Sequence, residues 1–172
     1  MLSVVLSELC PSQTLAFAGH RPSRLPQGAA LLRLRDALAN EITAALQRGR
    51  TQFVTGGMCG FDTMAAEEVL RCKEILPFVR CVVVAPFAVR FYEQRCWTPD
   101  WQARAQAVAR RADDFYTIAE RYHSGIYYER DRLLVNLSAE LVVYYDGGQG
   151  GTKYTLDYAA TQGKRTTNLA EK

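Results

Sequence analysis

The chain has 172 residues, 48 % of them hydrophobic and 23 % charged, which is the composition of one ordinary globular domain and excludes a disordered one. At this length a fold buries roughly 70 % of its unfolded surface and needs neither disulfides nor a structural metal. Lys and Arg number 21 against 18 Asp and Glu, a net charge of +3, and the basic residues are scattered, so nucleic acid is not an expected partner.

Residues 1–12 read as an N-terminal extension or accessory strand. They are apolar, but no basic residue precedes the apolar stretch, which does not fit a secretory signal. Residues 13–172 read as a single domain. A strand-like run at 14–18 stops at Gly19, and Leu31, Leu34, Leu38, Ile42 and Leu46 then recur at helical spacing up to Gly49. A short strand at 53–55 stops at Gly56 and Gly57. Ala65, Val69, Cys72 and Leu76 share a second helical face, which Pro77 closes. The run at 81–85 is β-branched without polar alternation, the pattern of a strand buried on both faces. Residues 87–99 read as irregular, followed by a helix over 100–112, a strand over 115–118 and a helix over 126–137. A strand over 141–145, a helix over 152–162 and a weak strand over 166–169 complete the order.

Strand and helix therefore alternate along the whole length, which predicts an α/β fold: a doubly wound, mostly parallel sheet in a single domain. A closed eightfold barrel would need about 250 residues. The longest apolar run, 81–89, is broken by Pro86 and falls short of the ~20 residues that a membrane-spanning helix requires. The five cysteines form no C-x-x-C pair, so no metal site is expected, and free thiols point to a reducing cytoplasm.

Open sheets of this kind bind ligands outside the carboxyl ends of their strands. The glycines fall in those turns: Gly19 with His20 and Arg21 after the first strand; Gly56, Gly57 and Gly60 with Asp62 after the second; Asp146, Gly147, Gly148, Gly150 and Gly151 with Thr152 after the fifth. Glycine lets an anion approach backbone N–H groups, and the latter two loops each open a helix, whose free first-turn N–H groups suit phosphate. Asp62 and Thr152 stand at helix-cap positions, a role compatible with ligand contact. Neither the P-loop spacing nor G-x-G-x-x-G is present.

Three strings occur in order: GHRP at 19–22, GGMCGFDTMAAE at 56–67 and YYDGGQGGTKYTLDYA at 144–159. Together they resemble the YpsA-like branch of the SLOG superfamily, the Rossmann-like domain shared with DprA and with the Lonely Guy phosphoribohydrolases. Arg130, Asp131 and Arg132 with Ser138 are similar to that family's R-N-R helix, with Asp131 in place of its Asn and Asn136 in place of its Asp. Gln94 and Trp97 match its Gln and Trp at altered spacing, after what reads as an insertion. The resemblance implies a Rossmann-like, SLOG-type nucleotide-binding domain. The Lonely Guy relatives carry P-G-G-x-G-T-x-x-E. Here Asp146 replaces the Pro and Thr155 falls where the Glu would stand, which counts against transferring the hydrolase activity.

Arg21, Arg130 and Asp131 are the candidates for phosphate or ribose contacts. His20 is a candidate acid or base without a visible carboxylate partner. His123 reads as a loop residue. Among Tyr127, Tyr128, Tyr144, Tyr145, Tyr154 and Tyr158, one could stack on a base. Cys59 is the one cysteine placed to have a lowered pKa. The leading expectation is a sensor that binds an AMP-, NAD- or ADP-ribose-like molecule and thereby biases contact with a protein partner or a second copy of itself. The alternatives are a nucleotide N-glycosidase using Glu67 or Asp131 with Arg130, and a single-stranded DNA binder.

Overall fold

The computed structural model describes residues 8–171. Of the expected N-terminal extension, residues 1–7 lie outside the described residues; Leu9 packs into the core, and Pro11–Gln13 form a 3₁₀ turn that leads into the first strand.

Six strands make one sheet: β1 (Thr14–Gly19), β2 (Gln52–Thr55), β3 (Arg80–Phe87), β4 (Asp114–Ala119), β5 (Glu140–Tyr144) and β6 (Arg165–Asn168). Their order is β4-β3-β2-β1-β5-β6. Every pairing is parallel, so the sheet is wholly rather than mostly parallel. Among the described residues five helices connect the strands: α1 (Ala29–Gln47), α2 (Phe61–Ile75), α3 (Pro99–Arg111), α4 (Ile126–Asn136) and α5 (Gly151–Thr161). No helix among the described residues is long and apolar enough to cross a membrane.

The strands of a parallel sheet are covered by helices on both faces, and alternate side chains serve opposite cores. Leu15 and Phe17 of β1 join Leu34, Leu38 and Ile42 of α1 with Met64 and Val69 of α2 on one face. Ala16 and Ala18 join Leu134 and Val135 of α4 with Ala159 of α5 on the other. Leu38 is fully buried, so truncating it to Ala costs about 2–5 kcal/mol.

The irregular segment after β3 contains a single 3₁₀ turn (Phe91–Glu93) and is held by aromatic packing. Trp97 lies 5.4 Å from the Phe91 ring and 5.0 Å from the Tyr92 ring. Thr98 then caps α3 by accepting from the Trp101 N–H, with Pro99 at the first helical position.

The central position of β1 matters for function. The chain runs outward from β1 through β2 and β3 to β4, then crosses back to place β5 on the other side of β1. The crevice between β1 and β5 is the topological switch point, where open α/β sheets hold ligands.

Candidate functional site

A cavity of about 590 Å³ opens at that switch point. Gly19, His20 and Arg21 line it from the end of β1, and Gly150, Gly151 and Thr152 from the start of α5. Tyr127, Tyr128, Arg130 and Asp131 of α4 line it as well, with Met58 and Asp62 from the entry to α2.

Arg130, Asp131 and Asp62 are buried, and their side chains are no more than 8 % exposed. Arg130 Nε donates to Asp131 Oδ1 at 2.8 Å, and its Nη1 lies 3.5 Å from Asp62 Oδ2. Burial opposes the charge of Arg130, but the carboxylates of Asp131 and Asp62 outweigh it and hold its pKa above the ordinary value. Burial also dominates at Asp62 and raises its pKa despite Arg130 and Arg21 nearby. The Arg130 charge is therefore already neutralised by the protein's own carboxylates.

Arg21 is different. It has no carboxylate partner among the described residues; its guanidinium stands 6.0 Å from the Tyr127 ring centre and 3.9 Å from Cys59 Sγ. It lines the cavity with its charge available.

His20 has the carboxylate partner that its local sequence does not reveal. Its Nε2 lies 2.7 Å from Asp146 Oδ1, a residue far along the chain that also pairs with Arg24. The ring packs between Tyr144 and Tyr145. Burial and then the Arg24 charge lower the His20 pKa, against the opposing pull of Asp146.

The two helix-opening loops have different roles. At α5 the cap is Gly150, no side chain caps the first turn, and the first bond is from Tyr154 N–H to the Gly150 carbonyl. Its leading N–H groups belong to residues that line the cavity. At α2 the cap is Gly60, and the chain consumes its own donors. Phe61 N–H bonds the His20 carbonyl at 3.1 Å, Thr63 N–H bonds the Met58 carbonyl, and Met58 N–H is 3.3 Å from Asp62 Oδ2. Asp62 and Thr152 are thus not the caps that their positions suggest; each sits one residue inside the helix, behind a glycine cap and the first helical residue.

Gly56, Gly57 and Gly60 do not line the cavity but support it. A Cβ on Gly60, at φ +99°, would come within 2.5 Å of the His20 carbonyl, so glycine permits the loop to pack against the end of β1. Asp146, Gly147 and Gly148 also fall outside the lining, where Arg24 holds Asp146 and bonds the Gly147 carbonyl at 2.6 Å. Glu67 is on another face of α2. Arg104 grips it from α3 at 2.7 Å through both Nε and Nη2, and Arg35 from α1 at 2.7 Å. Glu67 therefore lies outside the cavity lining. The lining also takes in Arg24, Tyr122, Ser124 and Gly125, whose surroundings in the sequence carry no motif.

Cys59 corrects its expectation as well. Its thiol is a donor toward Cys96 and is buried, which raises its pKa. His123 is exposed in a loop, as its sequence position suggests.

A family model described as the YspA SLOG family matches residues 15–170. The chain belongs to this SLOG family. Among curated relatives, the UPF0398 protein YpsA of Bacillus subtilis is 25 % identical over 154 residues, covering 86 % of this chain and 84 % of the relative. The prophage-derived protein YoqJ of the same organism is 23 % identical over 142 residues, 75 % of this chain and 81 % of YoqJ. In three dimensions the SLOG chain is similar to DNA processing protein A of Helicobacter pylori, described for its single-stranded DNA binding mode. The TM-score is 0.65 at 17 % identity over 96 % of this chain and 67 % of that one. The Streptococcus pneumoniae protein of the same name gives a TM-score of 0.62 at 14 % identity, over 90 % of this chain and about half (49 %) of that one. At such identities the likeness shows the shared SLOG fold.

Proposed function

We propose that the chain binds a nucleotide or nucleotide-derived molecule in the cavity between β1 and β5. The observation that carries this reading is the pairing of the uncapped N-terminus of α5 with the Arg21 guanidinium, which no carboxylate holds in an ion pair among the described residues, on one cavity. Together they supply N–H donors and a planar cation for a phosphate. The carboxylates of Asp131 and Asp62 accept hydrogen bonds, which suits ribose hydroxyls, and Tyr127 and Tyr128 present ring faces to a base. A volume of about 590 Å³ lies within the range of small-molecule sites. With Glu67 held elsewhere and Asp131 engaged by Arg130, binding is favoured over hydrolysis, and the ligand acts as a signal that biases contact with a protein partner.

A thermal-unfolding panel of AMP, NAD, ADP-ribose and cyclic nucleotides tests the proposal. Ligand at a hundred times Kd adds about 2.7 kcal/mol, which for a domain of this size is about 5–10 °C in Tm. A flat response across the panel overturns it. Chromatography of the same mixtures for free base decides whether the ligand is also cleaved.

The fold shared with the H. pylori protein favours a second reading, single-stranded DNA binding. A gel shift at two salt concentrations decides it, because phosphate contacts weaken steeply with salt.

A further inference from the structure

Cys59 and Cys96 are 37 residues apart, one in the loop that enters α2 and the other in the aromatic-packed segment after β3. The Cys59 thiol points at Cys96: its Sγ lies 3.3 Å from the Cys96 carbonyl oxygen, which brings the two residues into direct contact. Arg21 Nη1 stands 3.9 Å from Cys59 Sγ and brings a positive charge to the pair. We infer that Cys59 and Cys96 form an oxidation site beside the cavity, which a hydroperoxide converts into an intramolecular disulfide.

The two sulfurs are set for different parts in that reaction. The neighbouring Cys59 thiol is the main cause, and the Arg21 charge a further one, that lowers the Cys96 pKa against the opposing effect of burial. Cys96 is half-buried and the more acidic of the two thiols, whereas Cys59 is buried and its pKa is raised. The Cys96 thiolate attacks one oxygen of hydrogen peroxide; the O–O bond breaks, and the departing hydroxide takes a proton and leaves as water. Cys96 is then a sulfenic acid. The Cys59 sulfur attacks the sulfenic sulfur and forms the S–S bond; the S–OH bond breaks and hydroxide leaves as a second water with the Cys59 proton. Two thiols lose two electrons and two protons, and one peroxide becomes two waters.

The other cysteines are placed differently. Cys81 is buried in β3 with its pKa raised to about 12, and burial also raises that of Cys72; Cys10, whose pKa a hydrogen bond with Ser12 lowers, is exposed at the other end of β1, away from any second cysteine among the described residues. Arg21 also lines the cavity, so the cysteine pair and the proposed ligand site share one cation.

The test uses the full reduced chain, exposed to hydrogen peroxide, then unfolded and alkylated. Five alkylatable thiols should fall to three, with one peptide pair joined through Cys59 and Cys96. In Cys59→Ser, Cys96 should stop at a sulfenic acid that dimedone traps. In Cys96→Ser, Cys59 should stay alkylatable. Five thiols after peroxide in the wild-type chain, or a disulfide that involves Cys10 or links two chains, overturns the inference. The wild-type thiol count and peptide map hold whether or not either variant folds.

Discussion

Gly56 lies directly beneath Arg130: a Cβ built on it would stand 1.5 Å from the guanidinium Nη1 and 2.7 Å from Asp62 Oδ2. The glycine at the end of β2 is what allows a guanidinium to sit between two buried carboxylates. Gly56→Ala should displace Arg130 and break that cluster, at a cost of about 3–5 kcal/mol. Urea denaturation measures it; a loss within about 0.5 kcal/mol would mean the cluster tolerates the methyl group.

Arg130→Met should destabilise by a similar amount at pH 7, because Asp62 and Asp131 are left buried without their cation. The penalty should shrink toward pH 5. Asp62 already has a raised pKa, so the folded state takes up protons more readily than the unfolded chain, and stability from this group falls as pH rises. Adding Asp62→Asn to Arg130→Met should restore part of the loss and flatten the pH dependence. Denaturation curves at pH 5 and 7 for both variants give the comparison.

His20 works in the opposite sense. Its pKa is lowered on folding, so between the unfolded value of about 6.5 and the folded value the unfolded chain binds more protons. The stability from a neutral His20 is therefore complete above about pH 6.5 and declines as pH falls through that window. His20→Gln should remove this component of the slope. An unchanged profile between pH 7 and 5 would show that the ring titrates alike in both states.

Two substitutions separate binding from stability. Arg21→Ala should leave unfolding within about 0.5 kcal/mol of wild type yet weaken nucleotide binding about ten- to a hundredfold, the loss of a charged hydrogen-bond pair. Glu67→Gln should do the reverse: about 1–3 kcal/mol of stability lost with the Arg104 and Arg35 contacts, and the ligand-induced Tm shift retained. Equal effects of the two on binding would contradict the site.

The fold was legible because strands buried on both faces have a continuous apolar pattern and its helices keep a regular spacing. Cys81 to Ala85 and the leucines of α1 show this directly. The glycine turns were legible too, and much of the first and third loops lines the cavity. Their division of labour was not. Whether an N–H is free or already bonded, as at α5 and α2, depends on which loop packs against which. The Asp146 partner of His20 and the arginines on Glu67 come from distant elements that only the sheet order brings together. Cys59 and Cys96 met for the same reason, across a segment without regular periodicity.

The order of the sheet has a consequence for biosynthesis. β1 is made early, yet its neighbour β5 and the opening turn of α5 follow more than a hundred residues later. A nascent chain that has emerged only as far as β4 can assemble the β4-β3-β2-β1 half of the sheet but has half a cavity, so a molecule bound there could not template its early folding. On the proposed function, capture of a ligand would wait until translation has passed residue 152.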